Sequence, residues 1–124
     1  MEMLVQGEDA CILAIGNMVQ EALNAVVWLR NEGIDVSVVN VGRIWPFPIS
    51  AVKKIAEEYP ALITIEEGVY NGSFGEYAKS ISGKVTAMTY PTKFIEHGSV
   101  NEIRAKYGMD AQGIVNTVKN AIGE

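Results

Sequence analysis

Apolar residues fall along the chain in short β-branched runs that alternate with stretches of helical spacing. That order predicts a mostly parallel sheet covered on both faces. Ala10 to Ile15 is a continuous apolar run, the length of one buried strand. Asn17 is the expected cap of a helix carrying Val19, Leu23, Val26, Val27 and Trp28 inward until Gly33 ends it. Ile34 to Val41 reads as a second inner strand. The run Arg43 to Pro48 holds two prolines, which remove ladder donors and restrict the residues before them, so it is a connector. Pro48 suits the first turn of a helix reaching Glu58, with Ile49, Val52, Ile55 and Ala56 inward, stopped by Tyr59-Pro60.

Ala61 to Glu66 follows as a third strand and Glu67 to Gly72 as a loop. Ser73 then caps a helix bearing Phe74, Tyr77, Ala78 and Ile81 inward, closed by Gly83. Lys84 to Tyr90 is a fourth strand, and Pro91 to Gly98 an irregular loop. Ser99 with Glu102 forms a capping box for a short helix that Gly108 terminates. Asp110 caps the last helix, whose stripe is Ile114, Val115, Val118 and Ile122. Met3 to Gln6 can add an edge strand, antiparallel if it joins the sheet beside an inner strand. The expected fold is a three-layer α/β/α sandwich of about five strands, forming one domain over residues 1–124.

Composition narrows the function more than the fold. With 10 Lys and Arg against 15 Asp and Glu, the net charge is −5, which repels a phosphate backbone and excludes nucleic acid as an expected partner. No apolar stretch reaches the ~18 residues that span a bilayer, and the start shows no secretory signal pattern, so a cytoplasmic protein without a membrane partner is expected. The one cysteine, Cys11, lies inside an apolar run and reads as a small buried hydrophobe. One His and one Cys far apart do not furnish a zinc site.

Four places invite a chemical reading. Gly68 to Gly75 puts glycines beside a helix start, where backbone N–H groups can cradle an anion, although a tight strand-to-helix turn needs the same glycines. Glu66 and Glu67 are adjacent carboxylates, but in a strand they point to opposite faces and form no dyad; one can cap a backbone amide or meet an arginine. His97 and Ser99 suggest a hydrolase pair, yet Ser99 is better explained as a helix cap and no nucleophile elbow surrounds it. Trp45, Phe47, Tyr70 and Phe74 follow successive strands and should gather at the carboxyl edge of the sheet, where aromatic residues suit a partner surface. With Arg43, Glu67 and His97 they form the candidate domain or dimer interface.

Longer motifs carry a resemblance. Gly7-Glu8-Asp9 leads into Leu13-Ala14-Ile15-Gly16, followed by Val38-Val39-Asn40, Glu66-Glu67 with Gly72-Ser73-Phe74-Gly75, Phe94-Ile95-Glu96-His97-Gly98-Ser99, and Tyr107-Gly108-Met109-Asp110-Ala111-Gln112-Gly113-Ile114. In that order they resemble the C-terminal domain of the transketolase family, in the form found in 1-deoxy-D-xylulose-5-phosphate synthases. Trp45-Pro46-Phe47-Pro48 is closer to the connector of 2-oxoacid:ferredoxin oxidoreductases, which leaves an equivalent domain of such an enzyme, or of a 2-oxoacid dehydrogenase, as an alternative.

The resemblance implies a complete enzyme that joins pyruvate to glyceraldehyde 3-phosphate with loss of carbon dioxide, using thiamine diphosphate and magnesium. It implies that upstream pyrimidine and diphosphate domains hold both, and that this domain packs against them and contributes to a homodimer. No catalytic, cofactor-binding or metal-binding residue carries over to this chain. An independent anion-binding module built on the Gly68 to Gly75 loop is the alternative from another class.

Overall fold

The computed structural model describes residues 1–91 and 98–123. The order of elements is β1 (Glu2–Val5), β2 (Ala10–Ala14), α1 (Met18–Asn31), β3 (Val36–Asn40), α2 (Ile49–Glu58), β4 (Leu62–Val69), α3 (Phe74–Ile81), β5 (Val85–Tyr90), α4 (Val100–Lys106) and α5 (Ala111–Ile122). One sheet has the order β1-β3-β2-β4-β5, with β1 antiparallel to β3 and the remaining pairs parallel. The parallel strands therefore end on one common edge.

Period-two alternation sorts the side chains of each strand between two cores. On one face Ala10, Ile12, Ala14, Val36, Val38, Ile63 and Ile65 meet α1 and α5. On the other, Cys11, Leu13, Val39 and Leu62 meet α2 and α3, which supply Val52, Ala56, Phe74 and Ala78. The expected three layers are all present. Both faces of β2 are covered, and every residue in it is fully buried, which explains its unbroken apolar run.

Several sequence expectations need correction. α1 buries Met18, Ala22, Ala25, Val26 and Leu29, while Val27 and Trp28 are exposed. Two of the five buried residues are alanines, so the inner face carries less bulk than Val27 and Trp28 suggest. Asn17 has helical dihedrals and makes no side-chain capping bond; the helix starts instead from backbone turns, with Met18 N donating to Ile15 O and Val19 N to Gly16 O. Gly33, at φ +79°, ends it as expected. Ile49 and Tyr77, expected inward, are exposed. β4 runs three residues beyond its expected end because Val69 still pairs with Tyr90 of β5, past an irregularity in the ladder.

The other caps match their sequence signals. Ser73 Oγ accepts from Glu76 N, Asp110 from Gly113 N, and Ser99 and Glu102 complete a capping box. At the far end of α2 the Lys84 ammonium donates to the carbonyls of Ala56 at 2.9 Å and Tyr59 at 3.2 Å, placing a cation where the helix dipole favours one. Cys11 lies wholly in the core, as expected, and burial, with a smaller effect of Glu58, pushes its thiol up to about 12.

Candidate functional site

The most site-like features collect where β3, β4 and β5 end. β4 carries Glu66 and Glu67 to this edge on opposite faces, as strand geometry requires. Glu66 turns toward α3. Its Oε1 accepts from Phe74 N at 3.1 Å and its Oε2 from Gly75 N at 3.0 Å, so both oxygens sit on the positive end of the helix.

The neighbouring amides are occupied too. Gly72 N donates to Glu76 Oε1 at 2.9 Å, Ser73 N to Tyr70 O at 3.0 Å, Glu76 N to Ser73 Oγ at 3.0 Å, and Tyr77 N to Ser73 O at 3.4 Å. Every backbone N–H from Gly72 to Tyr77 thus has a partner within the chain. The alternative reading of this loop as an anion cradle meets a carboxylate already in place, the protein's own Glu66. A diphosphate would have to displace that carboxylate and then meet its charge, so these residues do not fit the cofactor that the sequence resemblance implies.

Gly75 is required here by packing. A Cβ at this position would lie 2.6 Å from Ala87 Cβ and 2.7 Å from Thr64 Oγ1, so the glycine lets α3 rest directly on β4 and β5.

Glu67 turns to the other face and meets an arginine of its own chain. Arg104 on α4 donates to Glu67 at 2.7 Å and to Glu21 of α1 at 3.4 Å, joining three elements. The Glu67 hydrogen bond raises the guanidinium pKa above its ordinary value, with burial opposing it. Neither glutamate faces the other, and the pair performs two separate structural tasks. Arg104 and Glu21 were absent from the sequence reading, since nothing in local spacing links residues so far apart.

The aromatic residues gather only in part. Phe47 stacks at 4.9 Å on Phe74, and Trp45 lies 6.4 Å from Phe47. Tyr77 completes the group, edge-on to Trp45 at 5.2 Å and 5.6 Å from Phe47. Tyr70 stands apart beneath the Lys79 ammonium, 5.8 Å from its ring centre. Phe74 is 1% exposed, so it belongs to the core and supports the others without reaching a partner itself. Trp45 at 50% and Tyr77 at 43% form the exposed part, with Arg43 in solvent two residues before Trp45. His97, and the Phe94 to His97 part of the recognised loop, lie outside the described residues, as does most of the Pro91 to Gly98 loop. Ser99 is engaged by Glu102, through Glu102 N at 3.2 Å and Oε1 at 3.1 Å, in the capping role expected of it.

A family model described as the C-terminal domain of transketolase matches residues 1–114. The chain belongs to that family. Its relatives include the 1-deoxy-D-xylulose-5-phosphate synthases of Dehalococcoides mccartyi (strain CBDB1), 36% identical over 130 residues, and of Aquifex aeolicus (strain VF5), 37% identical over 127 residues. Each alignment covers 98% of this chain and 20% of the relative, so the chain spans about a fifth of the length of the curated relatives it matches.

Solved structures agree on the fold. A split gene transketolase, described as an inactive β4 tetramer, superposes with a TM-score of 0.89 at 25% identity, covering 98% of this chain and 41% of that one. A 2-oxoglutarate:ferredoxin oxidoreductase from Magnetococcus marinus gives 0.69 at 20% identity, over 98% of this chain and 20% of that one. A transketolase from Campylobacter jejuni gives 0.71 at 18%, over 95% and 18%. The α/β/α architecture is therefore the family's own. No helix among the described residues is long and apolar enough to cross a membrane.

Proposed function

We propose that this chain is the assembly domain of a thiamine-diphosphate-dependent enzyme of the 1-deoxy-D-xylulose-5-phosphate synthase type. In that enzyme, upstream domains hold the cofactor and magnesium and condense pyruvate with glyceraldehyde 3-phosphate. This domain, residues 1–124, packs against them and helps form a cytoplasmic homodimer. The observation that carries the proposal is the closed start of α3: the loop with the composition of a ligand cradle is filled by Glu66, and what remains exposed at that edge is aromatic surface. Arg43, Trp45 and Tyr77 belong to the contact surface, and the buried Phe74 supports it through Phe47.

The family contains other thiamine enzymes, and the likeness to the 2-oxoglutarate:ferredoxin oxidoreductase keeps an equivalent domain of that class as the second reading. The split gene transketolase, described as an inactive β4 tetramer, supports an assembly role, because a domain of this architecture makes up 41% of its chain.

The deciding experiment is complementation. The synthase of Dehalococcoides mccartyi, expressed without its last fifth, is assayed for pyruvate decarboxylation with and without this chain. Restored turnover is expected in the mixture and none from this chain with cofactor, magnesium and pyruvate. Turnover by the chain alone would overturn the proposal.

A further inference from the structure

Asn71-Gly72 is the only asparagine–glycine pair in the sequence. Both residues are exposed, in the turn between β4 and α3. An asparagine before glycine is open to attack by its own main chain, because no side chain shields the nitrogen that follows. The Gly72 nitrogen bonds to Asn71 Cγ, and its proton passes through solvent to the carboxamide nitrogen, which leaves as ammonia. Water then opens the succinimide at one of its two carbonyls, giving aspartate or a main chain rerouted through the side-chain carbons. Either product puts a third carboxylate beside a helix start that already holds Glu66 and Glu76. The other seven asparagines precede larger residues, and five of them lie within α1, α4 or α5.

The chain contains two Ser-x-x-Glu helix starts, and they are built differently. At α4, Ser99 N donates to Glu102 Oε1 at 3.4 Å, completing the reciprocal box. At α3, Ser73 N is already taken by Tyr70 O at 3.0 Å, and the Glu76 carboxylate reaches one residue further back, to Gly72 N at 2.9 Å. Glu76 is held in place by its own N–H, which donates to Ser73 Oγ at 3.0 Å. The displaced bond thus falls on the one nitrogen positioned in sequence to attack Asn71.

We infer that Glu76 guards the Asn71-Gly72 bond against self-modification. A nitrogen whose proton is held by a carboxylate is aimed at Glu76 rather than at Asn71 Cγ. Removing that proton would create negative charge 2.9 Å from the carboxylate, which like charge opposes. The turn from Tyr70 to Ser73 has positive φ only at Gly72, +78°, which is the type II form, and its second residue then holds ψ of about +120°. Ring closure needs that bond rotated, so the turn has to open first.

The test follows Asn71 conversion in the folded chain in mildly alkaline buffer. Cleavage after Lys54 and Lys79 releases a fragment in which Asn71 is the only side-chain amide, so conversion is read by mass and the rerouted product by isoaspartyl methylation. Conversion should be at least about tenfold slower in the folded chain than in the same chain unfolded in guanidinium. Glu76→Ala should quicken it in the folded state by about three- to tenfold, the worth of one hydrogen bond. Glu76→Gln keeps an acceptor without the charge and should lie between. Glu102→Ala, the same change at the other box, should leave Asn71 at its original rate, which separates guarding from the loss of a helix-start carboxylate. If Glu76→Ala does not fold, the Gly72 amide of the unmodified chain carries the test: despite its exposure it should exchange at least about tenfold more slowly than in the unfolded chain.

Equal conversion in Glu76→Ala and the unmodified chain would overturn the inference. Slower conversion in the variant would overturn it too, by making Glu76 a base that assists the attack. Conversion in the folded chain as fast as in guanidinium, or an unprotected Gly72 amide, would show that the turn guards nothing. None of these readings touches the assembly proposal, which turnover tests separately.

Discussion

Replacing Glu66 by alanine would remove the only acceptor that Phe74 N and Gly75 N have among the described residues, and so tests directly whether the loop is a closed structure. Both donors are buried, and a buried amide left without a partner costs about 1–3 kcal/mol. Water can reach the edge of the sheet, so the lower half of that range applies to each. The two amides together put the expected destabilisation at about 2–4 kcal/mol. A domain of ordinary stability survives this loss, and at a urea m-value of about 2 kcal/mol per molar the midpoint falls by about 1–2 M. Glu66→Gln keeps one carbonyl acceptor but turns an NH₂ against the second amide, so it should lose about half as much.

The same vacancy should change ligand behaviour. With its carboxylate gone, the start of α3 becomes an open anion site, and phosphate at ten times its Kd would return about 1.4 kcal/mol to Glu66→Ala. Urea titrations in phosphate and in chloride at matched ionic strength read this as a stabilisation of the variant beyond that of the unmodified chain. If Glu66→Ala stays within about 0.5 kcal/mol of the unmodified chain, or phosphate acts equally on both, the account of the loop is wrong.

Three further outcomes follow from single residues. Cys11, with its thiol pushed up to about 12, should resist thiol reagents until the chain unfolds. Because its folded pKa lies above the ordinary value of 9.0, the unfolded chain releases this proton first, so stability should fall from about pH 9 toward pH 12 by up to about 1.4 kcal/mol per unit. Cys11→Ala should lack that component of the alkaline slope. Gly75→Ala should cost about 1–3 kcal/mol by lifting α3 off Ala87 and Thr64, measured by chemical denaturation; a neutral result would show that the helix can shift freely. Arg104→Met leaves Glu67 and Glu21 unpaired at a half-open site and should cost about 1–2 kcal/mol, with hydrogen exchange rising first in α4; exchange unchanged there would mean Arg104 is not what ties α4 to β4.

The architecture was legible because the strands and helices carry different hydrophobic periods, and because the signals that end them are local. Ser73, Ser99 and Asp110 each act within three residues, so a sequence reading finds them. The errors occurred where the partner of a face is remote. On α1 two of the five buried residues are alanines, and size alone draws attention to Val27 and Trp28, which face away. Tyr77 has an apolar period on α3, yet its ring turns outward to meet Trp45, a neighbour supplied by the connector after β3.

At the carboxyl edge, the residue types were visible and their pairings were not. The resemblance takes Glu66-Glu67 together with Gly72 to Gly75, and the fold gives the physical reason: a carboxylate near the end of the strand receives the first amides of the helix that follows. A physical signal for that pairing was present. A glycine-bearing helix start calls for negative charge, and Lys79, the nearby cation in sequence, stands over Tyr70 rather than at the helix start. An acidic residue at the preceding strand end, eight positions before Phe74, meets that demand. The same topology places Glu67 on the reverse face, where Arg104 arrives from α4, so alternation along a single strand divides one acidic pair between a helix cap and an ion pair. Such division leaves the outward aromatic residues as the part of this edge whose chemistry is still open to another surface.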